Sequence, residues 1–290
     1  MRASSSTVHP VRDRRHTLYF LEYAARQRPV FLDTDVDMGA VHAHRAAAER
    51  RYSTVTYVLH AAGRTLHRHP EANAALAPRR LRAPRTVRFP SVTAKLALDA
   101  KSLSGERVVL SALIPDLETA SLDTIQDQID RYRSPDVAAL PEFRGVRALV
   151  RLPVWLGRAA FAHAVRGARR RAAVLGTVSV SSLGHRPVDG FHSTGGTAVT
   201  LTCGRTTPRP VVREDGSIEA APVMRLGLAF DHRVLDGAAA ADVLGELTYT
   251  LEHGSWEAPS DAPPHLAPVT TLRSPSPSPS PARAPHRPAG

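Results

Sequence analysis

The sequence predicts an α/β fold of the α+β kind, with helices packed on one mostly antiparallel or mixed sheet. Three observations carry this. Apolar residues alternate with polar or small ones in several short runs, among them residues 30–37 and Leu226, Leu228 and Phe230, which is the period of a strand with one buried face. Elsewhere they recur at helical spacing, as in Leu122, Ile125, Ile129 and Tyr132. The elements also come in blocks (helix, strand, two helices, strands, helix, strands, final helix), not in the regular alternation of a doubly wound sheet.

Taken in order, residues 1–11 are polar and are expected to fray. A helical pattern over 12–28 places Leu18, Leu21 and Ala25 on one side, and residues 30–37 read as a strand. Residues 38–51 are helical, with Val41 and Ala48 inward. Ser53 and Thr54 offer a cap for a helix carrying Val55, Val58, Leu59, Ala62 and Leu66, which ends near His69 and Pro70. A turn at 71–75 leads into an irregular Arg- and Pro-rich connection. Residues 91–99 and 106–114 read as strands joined around Ser104-Gly105, and Ser121 caps the next helix.

Residues 134–172 form a basic amphipathic insertion in which eight arginines, from Arg144 to Arg171, interleave with Leu149, Trp155, Leu156 and Phe161. A surface helix pair packing its apolar side on the domain is the simpler expectation, and membrane-surface or partner docking is the alternative. Residues 176–184 and 195–203 read as strands, and Glu214-Asp-Gly216 marks a hairpin between 208–212 and Ile218. The strand over 226–231 runs into His232, and a last helix reaches about 252. From 255 the chain is rich in Pro, Ser and Ala, a composition that buries no core, and a disordered tail is expected over 255–290. Residues 12–254 are thus expected to be one folded domain.

Bulk properties narrow the function. No apolar run approaches the roughly 20 residues of a membrane span, and the N-terminus lacks a signal-peptide core, so a cytoplasmic location is expected. Cys203 stands alone, which excludes a disulfide framework and a Cys-based zinc site. The formal net charge is +11, nearly all from arginine, since Lys95 and Lys101 are the only lysines. No helix-turn-helix, zinc-finger or aromatic RNA-binding spacing accompanies that charge, so no nucleic-acid partner is expected. A polyphosphorylated small molecule such as coenzyme A suits it equally.

His232 sits at a strand end, with Asp236 and Gly237 just behind it and an Ala-rich helix following. That is a place for acid–base chemistry. An isolated His-x-x-x-Asp is more often an ordinary polar strand edge, and Asp236 also suits the cap of the following helix.

Asp231-His-Arg-Val-Leu-Asp-Gly237 resembles the active-site signature of the catalytic domain of the dihydrolipoamide acyltransferases, the core components of 2-oxo acid dehydrogenase complexes, which have a chloramphenicol acetyltransferase-like fold. Other stretches agree in the same order. Residues 30–45, with Asp35 and Asp37, resemble the family's early strand and helix, and residues 65–73, with His69-Pro70 and Asn73, its helix end. Residues 110–129 resemble its strand, Ser-Leu and helix, and residues 176–184 its Ser-containing strand.

The resemblance implies an acyltransferase moving an acyl group between coenzyme A and a thiol or hydroxyl acceptor. It implies His232 as general base and Ser181 as donor to the oxyanion. On a strand Ser179 shares the face of Ser181, whereas Ser182 points away. Asp236 would brace the histidine loop by pairing with an arginine, Arg14 or Arg15 being the candidates. The family builds its site between subunits, so a homotrimer is expected. Neither lysine lies in a lipoyl-bearing Asp-Lys-Ala turn, so no lipoyl group is expected on this chain. A lipoyl-carrying protein acting in trans and a non-catalytic trimeric scaffold are the alternatives.

Overall fold

A computed structural model describes residues 11–77, 83–254 and 256. The expected frayed start and most of the Pro/Ser-rich tail lie outside the described residues. The elements are α1 (Arg15–Ala24), β1 (Pro29–Asp37), α2 (Gly39–Ala47), α3 (Thr54–Arg68), β2 (Ala74–Ala77), β3 (Arg85–Arg88), β4 (Ala94–Lys101), β5 (Arg107–Ile114), α4 (Leu122–Arg131), α5 (Arg144–Arg151), α6 (Val154–Ala164), α7 (Ala168–Leu175), β6 (Val178–Ser182), β7 (Val199–Val212), β8 (Ile218–Asp231) and α8 (Gly237–His253).

Six strands form one sheet in the order β1-β8-β7-β6-β4-β5. β6 runs parallel to β4 and to β7, and the other pairs are antiparallel, so the sheet is mixed, as the sequence predicts. Alternation along the strands gives the sheet two unlike faces. Leu96, Val178, Val180, Leu201, Leu226 and Leu228 point to one side and are buried in the main core with residues of α3 and α8. At about 1.5–3 kcal/mol for each large aliphatic side chain fully buried, this layer is the main source of stability. The opposite side carries Lys95, Ser179, Ser181, Thr200 and Thr202 in register across β4, β6 and β7. It is also covered: Lys95, Ser179, Thr200 and Thr202 are buried.

The helix that follows β8 packs by a simple rule. Ala240, Val243, Leu244, Leu247 and Leu251 of α8 are buried at helical spacing. On the same helix Glu246 accepts from Arg68 Nε at 2.6 Å and bonds His69 Nε2 at 2.8 Å, fastening α8 to the end of α3. Ser53 and Ser121 cap α3 and α4 as expected, accepting from the amides of Thr56 and Thr124. Asn73 donates to the carbonyls of Phe89 and Ser91. Trp256 lies 4.7 Å from the ring of Tyr57, so packing continues past Gly254.

Four features differ from the sequence reading. The stretch after Pro70, expected to be irregular, contains a two-stranded ribbon, β2 with β3; four-residue strands are too short to show a period. β7 and β8 each run unbroken for 14 residues, with a register shift between Cys203 and Thr206, where shorter strands were expected. Gly216 takes φ +82 in the turn that joins them, a conformation open to glycine. The basic insertion forms three short helices, α5 to α7, instead of a pair, and α1 buries Tyr19 and Ala24 while Leu18 and Leu21 stay about half exposed.

Candidate active site

The loop after β8 is held by Asp231, not by Asp236. Asp231 is 5% exposed. Its carboxylate accepts from Arg233 Nε at 2.8 Å and Nη2 at 2.6 Å, and from the amides of Arg28 and Arg233. Burial alone would raise its pKa, but Arg233 and the two amides outweigh burial and hold it below the usual carboxylate range. His232 follows immediately, and its amide donates to the Arg28 carbonyl at 2.9 Å. Its backbone is therefore fixed, while its ring is half exposed and lies 5.6 Å from that of Phe230.

Asp236 is the residue that caps α8, yet its side chain makes no capping bond and is 90% exposed. Its Oδ1 lies 3.6 Å from His232 Nδ1, beyond hydrogen-bond length. Among the described residues the expected arginine brace on Asp236 is not made. Arg15 instead donates to the carbonyls of Val150 and Leu152, tying α1 to the end of α5, and among the described residues Arg14 has no acidic partner. The buried end of β8 provides the stable anchor, and that is where Asp231, not Asp236, points.

Ser181 lies on the polar face of β6, level with Thr202. Its neighbour on the same face, Ser179, is fully engaged: Oγ donates to the Gly195 carbonyl at 3.0 Å and accepts from Thr197 at 2.9 Å. Gly195 is required there, because a Cβ would collide with the Ser179 side chain. Among the described residues the Ser181 hydroxyl has no hydrogen-bond partner, and it lines a cavity of about 670 Å³. Of the two serines, Ser181 is thus the one free to donate to a reacting atom.

Ser181 and His232 do not meet within one chain. Register aligns Ser181 with Thr202 and Gly227, and Val178 with Val199 and Phe230. His232 therefore stands five residues further along and two strands across, a separation of roughly 15–20 Å from the spacings of a sheet.

The cavity beside Ser181 is formed by the polar face of the sheet, α1 and α5 to α7, with residues 193–195 at its edge. Lys95 lies in its wall, is 6% exposed, and donates to the Gly195 carbonyl with its ammonium 4.1 Å from the centre of the Phe20 ring. Burial pushes its pKa down to about 7. Sequence reasoning missed Asp231 and Lys95. A lysine between Ala94 and Leu96 in an apolar strand was the available signal for the second; Asp231 had none beyond its place in the motif. Among the described residues no cluster of His, Cys, Asp or Glu is arranged to hold a metal.

The fold is that of acyltransferase catalytic cores. The cubic core of a pyruvate dehydrogenase multienzyme complex superposes with a TM-score of 0.62 at 20% identity, covering 87% of this chain and 93% of that one. A probable dihydrolipoamide acetyltransferase of Listeria monocytogenes gives 0.64 at 15% identity, with 90% and 99% covered. The dihydrolipoamide acetyltransferase of Azotobacter vinelandii, studied for the role of a serine, a histidine and an asparagine in its mechanism, gives 0.64 at 20%, with 87% and 93% covered.

At the level of sequence, residues 169–256 match the family model of the 2-oxoacid dehydrogenases acyltransferase (catalytic domain). This stretch holds Ser181, His232 and Asp236, and over it the family resemblance read from the motifs is shown. The dihydrolipoyllysine-residue acetyltransferase component of the Bacillus subtilis pyruvate dehydrogenase complex is 49% identical over 51 residues, 18% of this chain. The corresponding Staphylococcus aureus protein is 42% identical over 53 residues. The aligned stretches span only 11% and 12% of those relatives' lengths.

Proposed function

We propose that the chain is an acyltransferase that moves an acyl group between coenzyme A and a thiol or hydroxyl acceptor, at a site shared between copies in a homotrimer. The observation that carries this is the stretch 169–256. It matches the acyltransferase family and contains both a half-exposed histidine on a fixed backbone and an unengaged serine hydroxyl. The distance between the two within one chain favours a site completed by a second copy.

In this reading Nε2 of His232 takes the proton of the acceptor thiol or hydroxyl as its sulfur or oxygen attacks the thioester carbonyl. The Ser181 hydroxyl donates to the oxyanion that forms. Collapse of the intermediate breaks the carbon–sulfur bond, and the departing coenzyme A thiolate takes the proton back from the imidazolium. Asp236 stands on the Nδ1 side of the ring, its Oδ1 3.6 Å away. The Azotobacter enzyme's named asparagine likewise follows its histidine by four positions, which supports a polar, not a proton-carrying, role for Asp236. Arg144, Arg151, Arg166 and Arg169, without acidic partners among the described residues, supply positive charge suited to the phosphates of coenzyme A.

The test is an acyl-CoA transfer assay, run with small thiols and with a separate lipoylated domain as acceptors. Transfer by the wild type and its loss in His232→Ala support the reading, and the preferred acceptor separates a free-standing enzyme from one served by a lipoyl carrier in trans. Equal rates for the two proteins would leave a scaffold as the better account.

A further inference from the structure

Lys95 is a basic group buried beside a large, mostly apolar space, and among the described residues no carboxylate pairs with it. The acidic residue in the cavity lining, Glu142, is already paired with Arg131. Among the described residues the ammonium's polar partners are the Gly195 carbonyl and the face of the Phe20 ring. A buried charge is ordinarily paired, because an unpaired one is costly to desolvate. His16 lines the same space, and its Nδ1 is buried without a hydrogen-bond partner. Most of the remaining surface is apolar, with Phe20, Val146, Leu149, Phe161, Val174 and Leu175 contributing from α1 and α5 to α7, while the hydroxyls of Ser111, Ser181, Ser193 and Thr200 lie on the sheet side. A volume of about 670 Å³ is within the range that holds a small ligand, roughly 300–1,000 Å³.

We propose that this cavity binds a fatty-acid-type ligand, an apolar chain ending in a carboxylate, with the carboxylate on the Lys95 ammonium and the chain beneath α5 to α7. The basic insertion is then the roof of a ligand site. Val146, Leu149 and Phe161 face the chain, and Arg144, Arg151, Arg166, Arg169 and Arg170 are exposed. The pairing also gives Lys95 the counter-ion that the protein itself does not provide. The inference builds on the acyl-transfer reading, since Ser181 opens into the same space, but its test involves no transfer. A chain that binds such ligands without transferring acyl groups would keep this inference and lose the other.

The experiment is calorimetric titration of the full chain with dodecanoate and, in parallel, with dodecanol, at a mildly acidic pH where the ammonium is charged. Saturable binding is expected, with dodecanoate about tenfold tighter or more, the scale of one charge-assisted contact. Lys95→Met should bind both ligands alike. Ala160→Trp, which fills the space from α6 and leaves Lys95 in place, should weaken both. Absence of saturable binding, equal affinity of the wild type for the two ligands, or a carboxylate preference that survives Lys95→Met would overturn the proposal.

Discussion

Ser181 is level with Gly227 across β6, β7 and β8, whereas His232 lies one residue past Asp231, the end of β8. Both are on elements fixed by backbone hydrogen bonds, so no side-chain rotation brings them together. A site using both must draw them from two copies. Mixing supplies the test. His232→Ala and Ser181→Ala homo-oligomers should each lose transfer, the first by about 10²–10⁴. Co-expressed, they should regain a measurable fraction, because some interfaces then join an intact serine to an intact histidine. Co-expression without recovery would place the chemistry within one chain.

The two serines of β6 should separate cleanly. Ser181→Ala removes a free donor and should lower kcat by about 10²–10³ with little change in melting temperature. Ser179→Ala breaks a buried network with Gly195 and Thr197 and should destabilise by about 1–3 kcal/mol. Thermal melts alongside kinetics check both. The reverse pattern would move the oxyanion role to Ser179.

Asp231 and Asp236 should also part company. Asp231→Asn weakens a buried set of charge-assisted bonds and should cost about 2 kcal/mol. Because its folded pKa is lowered, the stability it contributes is present above its unfolded pKa and is lost as pH falls through the folded value. Asp236→Asn, on an exposed carboxylate, should leave denaturant unfolding unchanged and alter only the rate of transfer.

The clasp between α3 and α8 should give stability a pH window. Hydrogen bonding to Glu246, partly offset by burial, raises the pKa of His69 above 6.5. Its contribution is complete below 6.5 and is lost as pH rises through the raised folded value. Burial would raise the pKa of Glu246, but His69 and Arg68 outweigh it and hold it below 4.5. That contribution is complete above 4.5 and is lost as pH falls through the lowered value. Urea midpoints should therefore show the clasp at full strength between about 4.5 and 6.5, and the difference between wild type and Glu246→Gln should shrink on either side.

Lys95 should be a stability cost. Its pKa falls from 10.5 to about 7 on burial, so the unfolded chain holds the extra proton between those values and stability declines as pH falls through them. Lys95→Met should raise the unfolding free energy at neutral pH by on the order of 1–3 kcal/mol, read from urea unfolding, since Ser179 still donates to the Gly195 carbonyl. A fall instead would show that the ammonium is worth more to the fold than its desolvation.

Local chemistry made much of this readable from sequence. Ser53 and Ser121 announce their helices because a hydroxyl before an apolar period satisfies free amides, and Glu214-Asp-Gly216 announces the hairpin because the turn needs positive φ. His232 and its turn were visible for the same reason: strand period, histidine, aspartate and glycine are all local signals. β2 and β3 were hidden because four residues carry no period, and the unbroken β7 because residues 204–207, where the register shifts, separate two strand signals that pairing with β8 joins.

By itself, then, the sequence determined most of the longer helices and the cores of the longer strands, and which motif ends β8, because these depend on neighbours within a few residues. Only the tertiary structure decided that Asp231 and not Asp236 braces the loop, that Ser179 is engaged while Ser181 is free, and that Lys95 lacks a counter-ion beside a cavity. Each of these depends on burial and on partners many residues away. Desolvation and hydrogen-bond satisfaction are properties of the packed molecule, and no local pattern encodes them.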